Sequence, residues 1–153
     1  MIRIRLTSVM VDDQDKARDF YTNRLGFRLK HDMPMGGASW LTVTAADDPD
    51  GTELLLEPNF GLAEAPVFQK ALYDAGIPAT AFGVDDIDAE YERLTALGVG
   101  FRGAPSKPET GPATVALDDT CGNWIQLYQI KREPLSPAEH VAQRESAHFG
   151  SGR

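Results

Sequence analysis

The chain is poor in the residues that build cross-linked or metal-held scaffolds. A single cysteine, Cys121, in 153 residues excludes an internal disulfide framework and fits a reducing compartment. Histidine is scarce: His31, His140 and His148. No two of them have the i, i+4 spacing or the ligand-like neighbourhood that zinc-type sites use, so they read as surface residues. Basic charge is the minority, 15 Lys and Arg against 23 Asp and Glu, for a net charge of −8. A surface this acidic repels phosphate backbones, which excludes nucleic acid as the expected partner. It could attract a cationic small molecule or simply serve solubility. No apolar run approaches the ~20 residues of a membrane helix, and no signal-peptide pattern opens the chain. The expectation is therefore a cytoplasmic protein with no membrane partner. No P-loop or dinucleotide fingerprint is found, since Gly98-Val99-Gly100 falls at a helix exit.

What the chain does have is a statement made twice, about 73 positions apart. Leu6–Val11 leads through Asp12-Asp13 to a helix carrying Phe20-Tyr21 and then Leu25-Gly26-Phe27. Ala79–Val84 leads through Asp85-Asp86 to a helix carrying Tyr91 and Leu94 and then Leu97-Gly98-Val99. Asp13 and Asp86 are the expected N-caps, and Gly26 and Gly98 the expected stops. Ile2 to Val11 alternates as one strand. Strand text also covers Phe27–Asp32, Ala38–Thr44 and Thr52–Glu57, with Asp48-Pro49-Asp50-Gly51 as a turn. In the second half it covers Gly100–Gly103, Ala113–Asp118 and Trp124–Ile130. A connecting helix is expected within 58–76, with Pro66 near its start, an apolar face of Phe68, Leu72, Ala71 and Ala75, and Gly76 as its end.

The order predicts an α+β fold of two tandem βαβββ modules, forming an open eight-stranded barrel-like cup with helices outside. The first module spans 1–58, a linker helix 59–76, the second module 77–130, and a tail 131–153 with a short helix around 138–146. By strand parity Val9 and Val11 pack under the first helix, while Leu6, Ser8 and Met10 face the hollow. Thr80, Phe82 and Val84 pack under the second helix, leaving Ala79, Ala81 and Gly83 to the hollow.

Val11-Asp12-Asp13 leading to Asp19-Phe20-Tyr21-Thr22-Asn23-Arg24-Leu25-Gly26-Phe27, and the late Asp119-Thr120-Cys121-Gly122-Asn123-Trp124-Ile125-Gln126-Leu127, resemble the vicinal oxygen chelate superfamily. That superfamily holds glyoxalase I, bleomycin-resistance proteins and extradiol dioxygenases, and the resemblance covers about residues 3–130. In metal-using members, one side chain from the first strand and one from the last strand of each module hold a divalent ion. The resemblance places those positions at Leu6, Glu57, Ala79 and Gln126. Leucine and alanine have no lone pair to give, and a neutral amide is a poor ligand for zinc, nickel or iron. The resemblance thus implies a metal site lost in this chain, with no cofactor.

Glu57 is the titratable group expected in the hollow: a candidate catalytic general base, a ligand anchor, or a strand-end carboxylate reaching water. Gln126 with Trp124 and Tyr128 forms either a polar-aromatic ligand wall or barrel core. Leu6, Ser8, Leu55, Ala79 and Ala81 complete the candidate ligand-binding set. Trp40 reads as core or dimer contact, and Cys121, beside Asp118 and Asp119, as an unreactive thiol. The expected function is metal-independent binding of a small organic ligand in an acidic, aromatic-lined cavity, similar to bleomycin-resistance proteins and, by resemblance, as a homodimer. The alternative is a glyoxalase-type lyase, isomerase or dioxygenase, using Glu57 with unforeseen metal ligands or metal-free acid–base chemistry.

Overall fold

The computed structural model describes residues 1–129. Ile130, the tail 131–153 and the helix expected around 138–146 lie outside the described residues. The order is β1 (Leu6–Val11), α1 (Gln14–Asp19), β2 (Arg28–Met35), β3 (Ala38–Thr44), β4 (Glu53–Pro58), α2 (Glu64–Asp74), β5 (Thr80–Val84), α3 (Ile87–Ala96), β6 (Thr114–Asp118) and β7 (Trp124–Gln129). The strands form two mixed sheets, β1-β4-β3-β2 and β5-β7-β6. In each sheet the first strand pairs in parallel with the last, β1 with β4 and β5 with β7. Where the second half is expected to carry an eighth strand, two isolated bridges stand, Phe101 with Leu117 and Ser106 with Thr114. Gly100 and Gly103 flank that stretch, and glycine weakens a regular strand.

Helix starts follow the cap residues. The Asp13 carboxylate accepts from Lys16 N at 3.0 Å, and the Asp86 carboxylate accepts from Ala89 N at 3.0 Å. After Asp19 the helix widens into a π-helical turn, Phe20–Arg24, closed by Leu25 N donating to Phe20 O at 3.1 Å. The wider turn brings Phe20 and Tyr21 side by side into the core, and Gly26 at φ +87° then reverses the chain into β2.

Strand parity sets which faces are buried. Val9 and Val11, Leu41 and Val43, and Leu54 and Leu56 pack beneath Ala17, Phe20 and Tyr21. In the second half Val115, Leu117, Ile125 and Leu127 pack with Ile87 and Leu94. Each such side chain contributes about 1.5–3 kcal/mol on leaving water. The two halves share this core: Phe82 of β5 lies edge-on to Phe27 at 5.1 Å and to Tyr21 at 6.5 Å.

A polar joint ties the halves at the other end. Asp12 N donates to Cys121 O at 3.1 Å, and Asn123 Nδ2 donates to Met10 O at 2.7 Å. The α2 helix contributes to this joint in an unexpected way. Its buried residue is Gln69, whose amide donates to Met10 O, Cys121 O and Asn123 Oδ1, while Phe68 of the expected apolar face is 59% exposed. Pro66 stands in the first turn, where backbone N–H groups have no intrahelical partner to lose.

Candidate functional site

The helix-covered face of each sheet is core, so the opposite face is the place for chemistry. On the first sheet, alternation puts Leu6, Ser8 and Met10 of β1 on that open face. Cross-strand pairing extends it: Leu6 faces Glu53, Ser8 faces Leu55, and Met10 faces Glu57. Leu55 faces Thr42, and Thr42 in turn faces His31, while Trp40 pairs with Met33. The face is thus an aliphatic and aromatic surface with two carboxylates, a hydroxyl row and one imidazole.

Of the predicted residues here, Leu6 is 45% exposed, Ser8 and Glu57 are exposed, and Leu55 is half-buried. Glu57 makes no hydrogen bond or ion pair among the described residues. Polar organisation is centred instead on Glu53, four residues earlier. Its Oε1 accepts from Thr42 Oγ1 at 2.8 Å and lies 3.5 Å from His31 Nε2. Thr42 is fully buried, so it fixes the carboxylate from below.

The second sheet carries the rest of the predicted set. Ala81 faces Gln126, which faces Ala116, and Gly83 faces Tyr128, which faces Thr114. Ala79, just before β5, donates its N–H to Trp124 O at 2.9 Å. Ala79 and Ala81 are exposed; Trp124, Gln126 and Tyr128 are half-buried. Trp124 is already engaged: Tyr73 of α2 stacks on it at 5.0 Å, its Nε1 donates to Tyr73 O at 3.1 Å, and the Arg102 guanidinium lies 5.9 Å from its ring centre. Tyr73 in turn donates to Asp118 at 2.8 Å, which raises the phenol's pKa because the proton is held.

The structure therefore gathers the predicted residues into two groups, Leu6, Ser8, Leu55 and Glu57 on one sheet, and Ala79, Ala81, Trp124, Gln126 and Tyr128 on the other. Clefts of about 340 Å³, at the Phe27–Phe82 seam, and about 440 Å³, between α2 and the Asp118–Gly122 turn, contain none of these nine residues. Both groups lie on the sheet faces turned away from the helices.

The four positions at which the resemblance places metal ligands hold two hydrocarbons, one amide and one carboxylate, shared between separate sheets. That donor set does not fit zinc, nickel or iron. Sequence reasoning missed Glu53, Thr42 and His31. The three stand 11 and 22 positions apart, and a register shift between Leu29 and His31 is what turns His31 toward Thr42. Only pairing geometry carries that signal.

Comparisons with known proteins agree with this architecture. The family model for the Glyoxalase/Bleomycin resistance protein/Dioxygenase superfamily matches residues 3–127. The uncharacterized protein YurT of Bacillus subtilis (strain 168) is 52% identical over 129 residues, covering 84% of this chain and 99% of that one. The crystal structure of UcmS2 superposes with a TM-score of 0.72 at 31% identity, over 84% of this chain and 98% of that chain. TnmS3, an antibiotic binding protein from Streptomyces sp. CB03234, gives a TM-score of 0.63 at 30% identity, over 86% and 98% of the two chains. Sequence and fold together place the chain in the Glyoxalase/Bleomycin resistance protein/Dioxygenase superfamily.

Proposed function

We propose that the protein binds a small organic ligand on the open sheet faces without a metal ion, and does so as a homodimer in the cytoplasm. The observation that carries this reading is the first sheet's open face: Leu6, Leu55, Trp40 and Met10 supply apolar and aromatic area, and Glu53 and Glu57 supply charge. Binding sites are commonly apolar surfaces with a few fixed polar groups. At the positions where relatives' metal ligands would stand, two of four side chains are hydrocarbon, which supports a metal-free site. TnmS3, 30% identical, is an antibiotic binding protein, which supports the ligand class.

A second copy encloses these faces in this reading. Ile2 and Ile4, the start of the alternating run, are 100% and 79% exposed, and β1 begins only at Leu6. The arm is tied to its own chain only by Thr52 Oγ1 donating to Ile4 O at 3.0 Å and Glu53 N to Arg5 O at 2.9 Å among the described residues, and its exposed apolar side chains suit packing against another chain. The single buried cysteine suits the reducing cytoplasm, and no helix among the described residues is long and apolar enough to cross a membrane.

The test is a thermal-shift screen of polycyclic antibiotics and aromatic amines on chelator-treated protein, paired with sedimentation velocity. A compound that raises Tm by several degrees equally with and without EDTA, on a dimeric species, is the expected result. Binding or turnover that needs an added divalent ion, or a monomer that binds at full affinity, would overturn the reading.

A further inference from the structure

We propose that Glu53, fixed by Thr42 and flanked by His31, is the ligand-anchoring carboxylate of the open face, and that it takes the protonated nitrogen of a flat aromatic amine. The proposal rests on the reading that this face binds a ligand, and it assigns the anchor to a residue other than Glu57. Glu53 Oε1 is occupied by Thr42 Oγ1 at 2.8 Å and has His31 Nε2 at 3.5 Å, whereas its Oε2 makes no hydrogen bond among the described residues. A carboxylate with one oxygen held and no hydrogen bond on the other is preorganised for a charge-assisted hydrogen bond.

Its surroundings select the rest of the ligand. Leu6 stands directly across β1 from Glu53, Leu55 follows on the same strand face, and Trp40 lies on the Thr42 side of β3. Thr44, two residues beyond Thr42 and on the same side, is 1% exposed and its Oγ1 has no hydrogen-bond partner. Arg28, across from Thr44, is exposed and makes no ion pair with Glu53. Glu57, by contrast, is exposed and held by nothing, so a ligand would have to order it on binding.

The experiment uses the full chain and two fluorescent probes of one shape: 9-aminoacridine, a cation at neutral pH, and acridine, its uncharged counterpart. The proposal expects 9-aminoacridine to bind at least about tenfold more tightly than acridine, the scale of one charge-assisted hydrogen bond. Glu53→Gln, which keeps an oxygen for Thr42, removes that preference, and Thr42→Val reduces it. Glu92→Gln, a carboxylate on the exposed side of α3, leaves it unchanged. Melting curves of each variant check that the fold is kept. Equal binding of the two probes overturns the proposal, as does a preference that survives Glu53→Gln. Failure of both probes also overturns it, while the broader reading stands or falls on the compound screen.

Discussion

Replacing Asp119 by alanine is the most direct test of how the two halves are joined. The Asp119 carboxylate is fully buried and accepts four hydrogen bonds. Oδ2 takes Tyr21 Oη at 2.8 Å and Asn123 Nδ2 at 2.7 Å, and Oδ1 takes the backbone N–H of Cys121 at 2.7 Å and of Asn123 at 3.0 Å. Tyr21 belongs to the first half and the other three donors to the turn before β7, so one side chain spans the joint. Alanine leaves those donors in a dry core. Each orphaned buried group costs about 1–3 kcal/mol, and removing the buried charge itself returns part of that. The expected net loss is about 4 kcal/mol, a large share of the ~5–15 kcal/mol that holds a domain of this size. Asparagine restores one acceptor oxygen and should cost about half as much.

The assay is urea unfolding followed by tryptophan fluorescence, with the loss read from the midpoint at constant slope. An Asp119→Ala loss below about 1 kcal/mol would refute the reasoning, because four donors cannot be orphaned so cheaply without water filling the site. Titration gives a second readout. Burial raises the Asp119 carboxyl above its ordinary value, and the hydrogen bonds from Asn123, Tyr21 and the turn amides oppose that rise without cancelling it. With the folded pKa above the unfolded one, the folded state binds more protons through that window, so this group's contribution falls as pH climbs from the ordinary carboxylate range. Relative to Asp119→Asn, the natural protein should therefore gain stability as pH is lowered toward 4.

Two further predictions concern the same turn. Cys121 is buried, and burial with the neighbouring Asp119 pushes its thiol up to about 12, so it should react with Ellman's reagent only at the unfolding rate; rapid labelling of native protein at pH 8 would contradict this. Gly122 has φ +97°, and an added Cβ would stand 2.8 Å from Gln69 Nε2, which three acceptors already hold in place. Gly122→Ala should cost about 1–3 kcal/mol in urea unfolding, and a neutral effect would show that α2 shifts freely.

Much of the fold was legible in the sequence because its signals are local. The Asp13 and Asp86 caps, the glycine stops and the two-residue alternation each act within a few residues, and they come in pairs that check one another. The π-helical turn at Phe20 was not legible, since a π-turn and an α-turn use the same residue types and differ by a single hydrogen-bond step. Nor was Gln69, the one buried residue of α2. Helical patterning searches for apolar stripes, whereas this helix is seated by an amide whose nitrogen donates to acceptors 52 to 59 positions away. The strand at Gly100–Gly103 reads as extended, but whether extended chain becomes a strand depends on a neighbour's edge.

The site divides along the same line. Facing along one strand follows from counting by two, so Leu6, Ser8, Ala79 and Ala81 were assigned to the side away from the helices, there expected to be a hollow, from the text alone. The partners across strands could not, because a single bulge between Leu29 and His31 reverses which side an imidazole takes. Glu57 looked like the acid of the face because the resemblance pointed to that position. The proposed anchor is instead Glu53, where a buried hydroxyl donates to one carboxylate oxygen and an imidazole stands 3.5 Å from it. The hydrocarbon at Leu6 stands directly across from that carboxylate. Under the proposal above, such a pair suits a ligand that carries its own positive charge on an apolar frame.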